Sequence, residues 1–168
     1  MKATLKLEDG REIAVDVSEE TLKQIEKPAK KTGYEKVEDG ELHYLVGDDG
    51  KVYEFSTHHT YDMDAYDRGN YYSDKTIAEN NARADILMRK LRRFAVEHRK
   101  WELNWTNNTQ AKYFILYDYY ENKLNCDYFY GERHFGVFYF DSKETAEAAI
   151  EEFKDELIWY FTEYKDSL

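Results

Sequence analysis

A chain of 168 residues, 42% hydrophobic, is long enough for one domain with a real core, so wholesale disorder is not expected despite 35% charged residues. No apolar run approaches the ~18 residues of a membrane span, and the opening MKATLKLEDG carries no apolar signal region, so neither a membrane nor a secreted protein is expected. The single cysteine, Cys126, excludes an internal disulfide framework, and a net charge of −11 disfavours duplex nucleic acid and anionic membrane; the reading is a cytoplasmic protein.

Residues 2–17 predict a β-hairpin: Ala3, Leu5 and Leu7 alternate with polar residues, Asp9-Gly10 turns the chain, and Ile13, Val15 and Val17 resume the alternation. Ser18 then reads as the N-cap of a short helix, with Glu19 and Glu20 in its first turn and Pro28 beyond its end. Leu42, Tyr44 and Val46, a turn at Asp49-Gly50, and Val52 and Phe55 predict a second hairpin. Residues 58–72 (HHTYDMDAYDRGNYY) have neither helical nor strand period and read as a polar loop. Ser73 is expected to cap a helix running to about His98, with Ile77, Ala84, Leu87, Leu91 and Phe94 along one face.

Three strands at 112–120, 124–130 and 134–140 then predict an antiparallel meander, joined by Glu121-Asn122-Lys123 and Gly131-Glu132-Arg133. Asp141 and Glu144 form a capping-box pattern for a final helix, whose stripe Phe153, Leu157 and Phe161 should lie on a Phe114/Leu116/Phe138/Phe140 face of the sheet. The fold class is α+β: an antiparallel meander packed against two helices, with N-terminal hairpins. The divisions are a hairpin region at 1–57, the loop at 58–72 and a helix–meander–helix core at 73–168, together one unit.

Candidate sites are few. His58, His59, Asp62, Asp64 and Asp67 cluster in the loop, but they lack the glycine and terminal glutamate of a calcium loop, and such residues also favour turns for their own sake; no metal or cofactor is assigned. No GxGxxG, Walker loop, GxSxG, HExxH or CxxC occurs, which leaves only an enzyme of unrecognised type as a catalytic reading. His134 reads as an exposed residue near a strand edge and Cys126 as a small core or near-core residue.

Residues 83–100 (RADILMRKLRRFAVEHRK) hold seven Lys/Arg against two acids, so the rest of the chain carries −16. Cations at a helix C-terminus complement its dipole and can pair with an acidic neighbouring helix, but Arg89, Arg92 and Arg93 followed by Trp101 and Trp105 also place guanidiniums beside flat rings, as a nucleotide's phosphate and base require. Fourteen of the 28 aromatic residues lie in 101–140. Tyr113, Tyr117 and Tyr119 on one strand, with Tyr128 and Tyr130 on the next, make a face suited to anchoring a protein partner. The same face could equally be covered by the N-terminal hairpins or by a second copy of the chain.

Gly69-Asn70-Tyr71-Tyr72 leading into a helix, then KYFILYDYYENKL, then GVFYFDSKETAEAAIEEF, resemble small, uncharacterised accessory proteins of Firmicutes phages and prophages over nearly the whole chain. The resemblance implies an accessory gene of a class rich in host-interference and anti-defence proteins, and brings no catalytic residues with it. The expectation is a non-enzymatic binding protein that counters host defence by occluding a host protein, with a nucleotide-sequestering sponge as the alternative.

Overall fold

The alternating segments on either side of Gly10 pair as the pattern requires. In the computed structural model, which describes residues 2–6, 10–16, 18, 31–57 and 60–167, β1 (Lys2–Lys6) and β2 (Glu12–Asp16) form an antiparallel ribbon that sets Ala3 against Val15 and Leu5 against Ile13. Gly10 has φ +84°, the left-handed geometry that glycine adopts without penalty. This ribbon belongs to a first unit, Met1–Thr32; the second is Gly33–Leu168. The expected helix after Ser18 lies outside the described residues.

The second unit opens with β3 (His43–Val46) and β4 (Val52–Phe55), antiparallel and turned at Asp49-Gly50 as expected. Its inward face differs from the expected one. His43 and Leu45 are buried, whereas Leu42 is 48% exposed and Tyr44 and Val46 are only partly covered. The cause lies in the segment read as a loop, which contains helix α1 (Thr60–Asp67). Its buried positions are Asp62 and Ala65, while Tyr61, Met63 and Tyr66 are exposed. An apolar-period reading cannot find a helix whose inward side is polar and whose outward side is aromatic.

Gly69, at φ +72°, follows the end of α1, and the next three residues stitch the ribbon to what comes after. The Asn70 side chain acts as a short extra strand: it donates to the Val46 carbonyl at 2.8 Å and accepts from the Val46 N–H at 2.9 Å. Tyr72 and Tyr44 then exchange main-chain hydrogen bonds at 3.0 and 2.9 Å. Asp74, not Ser73, caps the long helix α2 (Lys75–His98), accepting from the Ile77 N–H at 3.0 Å; Ser73 instead donates to Glu35 at 2.8 Å.

Strands β5 (Lys112–Asp118) and β6 (Lys123–Phe129) pair over seven residues, and the Asp118 carboxylate accepts from the N–H groups of Tyr120 and Glu121 to hold their turn. The expected third strand is reduced to one antiparallel bridge, Phe140 to Tyr113. It lies beside β5 rather than extending the meander from β6. Ser142 caps α3 (Lys143–Glu152), one residue later than the Asp141 expected, and Asp141 accepts from the Lys100 N–H instead. The single final helix is two helices: the chain departs from helical angles at Phe153 and resumes as α4 (Lys154–Thr162). Leu157 and Trp159, two residues apart, are both buried, so α4 is enclosed on two sides.

The main core joins Leu87 and Leu91 of α2, Phe140, Ala146 and Ala149 of α3, and Leu157 of α4. A second cluster joins Tyr72, Ile77 and Ala78, with Tyr34, Tyr44, Val46 and Val52 packed on it. The chain is therefore α+β, with helices laid against antiparallel ribbons. Among the described residues no helix is long and apolar enough to cross a membrane.

Candidate functional site: a cationic aromatic cleft

The pairing of β5 with β6 decides which side chains meet. Tyr113 faces Tyr128, Ile115 faces Cys126 and Tyr117 faces Leu124, so these six share one side of the ribbon, as the alternation predicts. That side packs on α2, α3 and α4: Tyr113, Ile115, Leu124 and Cys126 all touch the main core, and Tyr117 stacks on Phe161 at 6.1 Å. The final helix was expected on the opposite, phenylalanine-bearing side, and the correction has a simple cause. Ile115, Cys126 and Leu124 offer aliphatic and small groups that the Ala146/Ala149 stripe of α3 can approach closely, which flat rings would hold off.

Loops cover the phenylalanine side instead. Phe114 and Phe129 stack at 4.8 Å with planes 5° apart, and His134 lies over Phe129 at 4.4 Å. The Tyr139 hydroxyl accepts from the His134 N–H at 2.9 Å and lies 3.0 Å from its Nδ1, which folds residues 134–139 back over the sheet. This is why the third strand does not form: the segment is spent on covering a face and reaches the sheet edge only at Phe140. Trp105 stands edge-on to Tyr139 at 4.9 Å. Beneath it Lys112 is fully buried, donating from Nζ to the carbonyls of Asn107 and Tyr130, both at 2.8 Å. No carboxylate pairs with this ammonium among the described residues, so it sends positive potential into its surroundings.

Those surroundings are a cleft of about 530 Å³ between the C-terminal half of α2 and the 131–139 loop. Arg92, Arg99 and Arg133 bring three guanidiniums to it, and Glu102, bonded to Arg99 at 2.9 Å, is its one carboxylate. Arg133 lies 5.2 Å from the centroid of the Trp105 ring, and the Lys112 ammonium 5.6 Å from it. Arg92 lies 5.5 Å from the centre of Phe138. Excess positive charge beside flat rings, in a chain of net charge −11, is an arrangement for an anion with a planar part.

Of the residues singled out from the sequence, Arg92 and Trp105 meet in this cleft. Arg89 and Arg93 do not line it; Arg93 lies 4.0 Å from Glu97 on the exposed side of α2. Trp101 is 48% exposed in a separate shallow cleft with Gln110, Tyr113 and Lys143. Arg83, also from the basic segment, pairs with Glu156 of α4 through two hydrogen bonds and covers Trp159 at 3.9 Å, so part of that charge is structural. Arg99 was legible only as part of the basic segment, and it stands in extended conformation just past the end of α2. Arg133, Phe138 and Tyr139 had no such signal, because their position depends on the loop folding over the sheet.

The five tyrosines fall into two groups. Tyr117 and Tyr119 sit against α4, where Tyr119 donates to the Phe161 carbonyl although 66% exposed. Tyr113, Tyr128 and Tyr130 run in a chain of ring contacts at 5.5 and 5.2 Å, the last two 43% and 46% exposed. The Tyr128 hydroxyl, hydrogen-bonded to that of Tyr130, pushes the Tyr130 phenol above its ordinary pKa. Burial pushes the Cys126 thiol up as well, which keeps it protonated and unreactive at neutral pH.

A second polar centre was not foreseen. His43 is fully buried, with Tyr71 stacked at 4.8 Å and Phe55 at 5.8 Å, and its Nε2 lies 3.5 Å from the Asp62 carboxylate. Asp62 thus points inward, while Asp64 and Asp67 of the same acidic cluster are exposed. Among the described residues no group of three or more His, Cys, Asp or Glu is arranged to hold a metal ion. No family model, curated protein or solved structure matches the chain.

Proposed function

We propose that this chain is a binding protein that holds a nucleotide, or a similar phosphate-bearing aromatic anion, in the Arg92/Arg99/Arg133 cleft. The observation that carries the reading is the meeting of three guanidiniums with Trp105, Phe138 and Tyr139 in one concavity, over a buried ammonium. Phosphate takes bidentate hydrogen bonds from arginine, and a base takes the face of an indole. The cleft, about 530 Å³ and open to solvent, has the size of small-ligand sites. With the resemblance to phage accessory proteins, the biological role we propose is sequestration of a nucleotide signal in the host cytoplasm.

The test is a thermal-shift screen with mono-, di- and triphosphates, cyclic mononucleotides and cyclic dinucleotides, with inorganic phosphate as the control. A ligand that binds only the folded state at a hundred times its Kd adds about 2.7 kcal/mol of stability. At least one nucleotide should raise the midpoint more than phosphate does, and Arg133→Ala should remove the gain. If no nucleotide moves the midpoint at large excess, the reading fails.

A second reading keeps the original expectation, occlusion of a host protein. It is favoured by the exposure of Tyr128 and Tyr130 as adjoining rings on an acidic chain, the kind of anchor that protein interfaces use. Tyr128→Ala with Tyr130→Ala would then abolish capture of a host protein and leave nucleotide binding intact.

A further inference from the structure

The cationic cleft shares a wall with an apolar cavity. Gly136, Val137 and Phe138 line both; on the far side is a partly open space of about 220 Å³ lined by side chains such as Met88, Leu91, Ile115, Tyr160 and Phe161, none of them charged. Helix α2 spans the two directly. Met88 lines the cavity and Arg92, four residues later, lines the cleft, so the two linings are about 6 Å apart along the helix. Gly136 lies on the wall they share. A Cβ built there would meet nothing within 4 Å, so the space above this backbone is open.

From this we infer that the ligand is amphiphilic: a nucleotide whose phosphate carries an apolar chain, with the base at Trp105, the phosphate among Arg92, Arg99 and Arg133, and the chain running past Gly136 into the Met88 cavity. This rests on the nucleotide reading of the cleft and adds to it the chemical class of the ligand. An apolar space beside a well-packed core forfeits dispersion contacts that a chain would restore, and each buried methylene strengthens binding by about fourfold. A simple nucleotide would leave that space unused, whereas a simple fatty acid would leave Trp105 and at least one guanidinium unused.

The experiment is calorimetric titration of the protein with adenosine 5′-monophosphate and its ethyl, butyl, hexyl and octyl phosphodiesters. The four esters share one charge, so their comparison isolates the chain. Affinity should rise stepwise from ethyl to octyl by at least tenfold in total. Met88→Trp, which fills the cavity, should flatten the series while leaving the ethyl ester's Kd within about twofold. A flat series in the unmodified protein, with the monophosphate still bound, would overturn the amphiphile and leave the nucleotide cleft standing; this arm needs no variant to fold. A series that rises equally in a folded Met88→Trp would also overturn it, because the chain would then lie elsewhere. No binding by the monophosphate or any ester would instead strike the cleft reading itself.

Discussion

The two sides of the β5–β6 ribbon come from the same fourteen residues and have opposite fates. One side gives Ile115, Leu124 and Cys126 to a core closed by three helices. The other gives Lys112, Phe114 and Phe129 to a layer of loops that brings in Trp105, Arg133, His134 and Tyr139. Helices cover their side with regular, mainly aliphatic contact and leave few polar groups there. Loops bring main-chain carbonyls, which can satisfy a buried ammonium, and side chains aimed in many directions. The difference places most of the stability on the helix side and the charged, aromatic part of the binding site on the loop side.

The largest effect expected from breaking this division is on the helix side. Leu157 is 3% exposed in the main core, so Leu157→Ala should cost about 2–5 kcal/mol in chemical unfolding and leave nucleotide affinity unchanged in the folded fraction. On the loop side the expected effect is reversed. Arg133→Ala should weaken nucleotide binding by about 1.5–3 kcal/mol, since a hydrogen bond to a charged group is of that size, and shift unfolding by less than about 0.5 kcal/mol. Raising salt should weaken the same binding, because exposed guanidinium–phosphate attraction is screened.

Alkaline titration probes a different part of the molecule, the packing around the N-terminal half of α2. Burial pushes the Tyr72 and Tyr164 phenols up to about 12 from an ordinary 10.0. Between those values the unfolded chain has released protons that the fold retains, so the contribution is complete below pH 10 and is lost as pH rises to about 12. The unfolding free energy should therefore decline across pH 10–12, and Tyr72→Phe should make the decline shallower. The smallest effect is expected at Arg93, whose exposed partner Glu97 lies 4.0 Å away: Arg93→Ala should change both stability and binding by less than about 0.5 kcal/mol.

Much of the frame was legible in the sequence because it rests on period and turn chemistry. The hairpins around Gly10 and Gly50, the α2 stripe of Ile77, Ala84, Leu87 and Leu91, and the burial of Leu157 all follow from local alternation or helical spacing. The losses share a different origin. Helix α1 escaped because its inward side is only Ala65 and Asp62, and the partner of Asp62, His43, lies in another element. The cleft was half visible, in Arg92 and Trp105, because those two adjoin one helix end. Arg133 and Tyr139 join them only through a loop that a strand pattern had disguised, and the side the final helix would take depended on packing of Ala146 and Ala149 that alternation alone does not encode.

The central claim is that the loop-covered side holds the ligand, and the three tryptophans report on it separately. Trp105 lines the cleft, Trp101 sits in another shallow cleft, and Trp159 is buried beneath Arg83. Titrating ¹⁵N-labelled protein with adenosine 5′-monophosphate, with indole resonances assigned through single Trp→Phe variants, reads all three at once. The account predicts that the Trp105 indole N–H shifts saturably while Trp101 and Trp159 stay in place. A Trp105 resonance that holds still, whether or not either of the others moves, would contradict it.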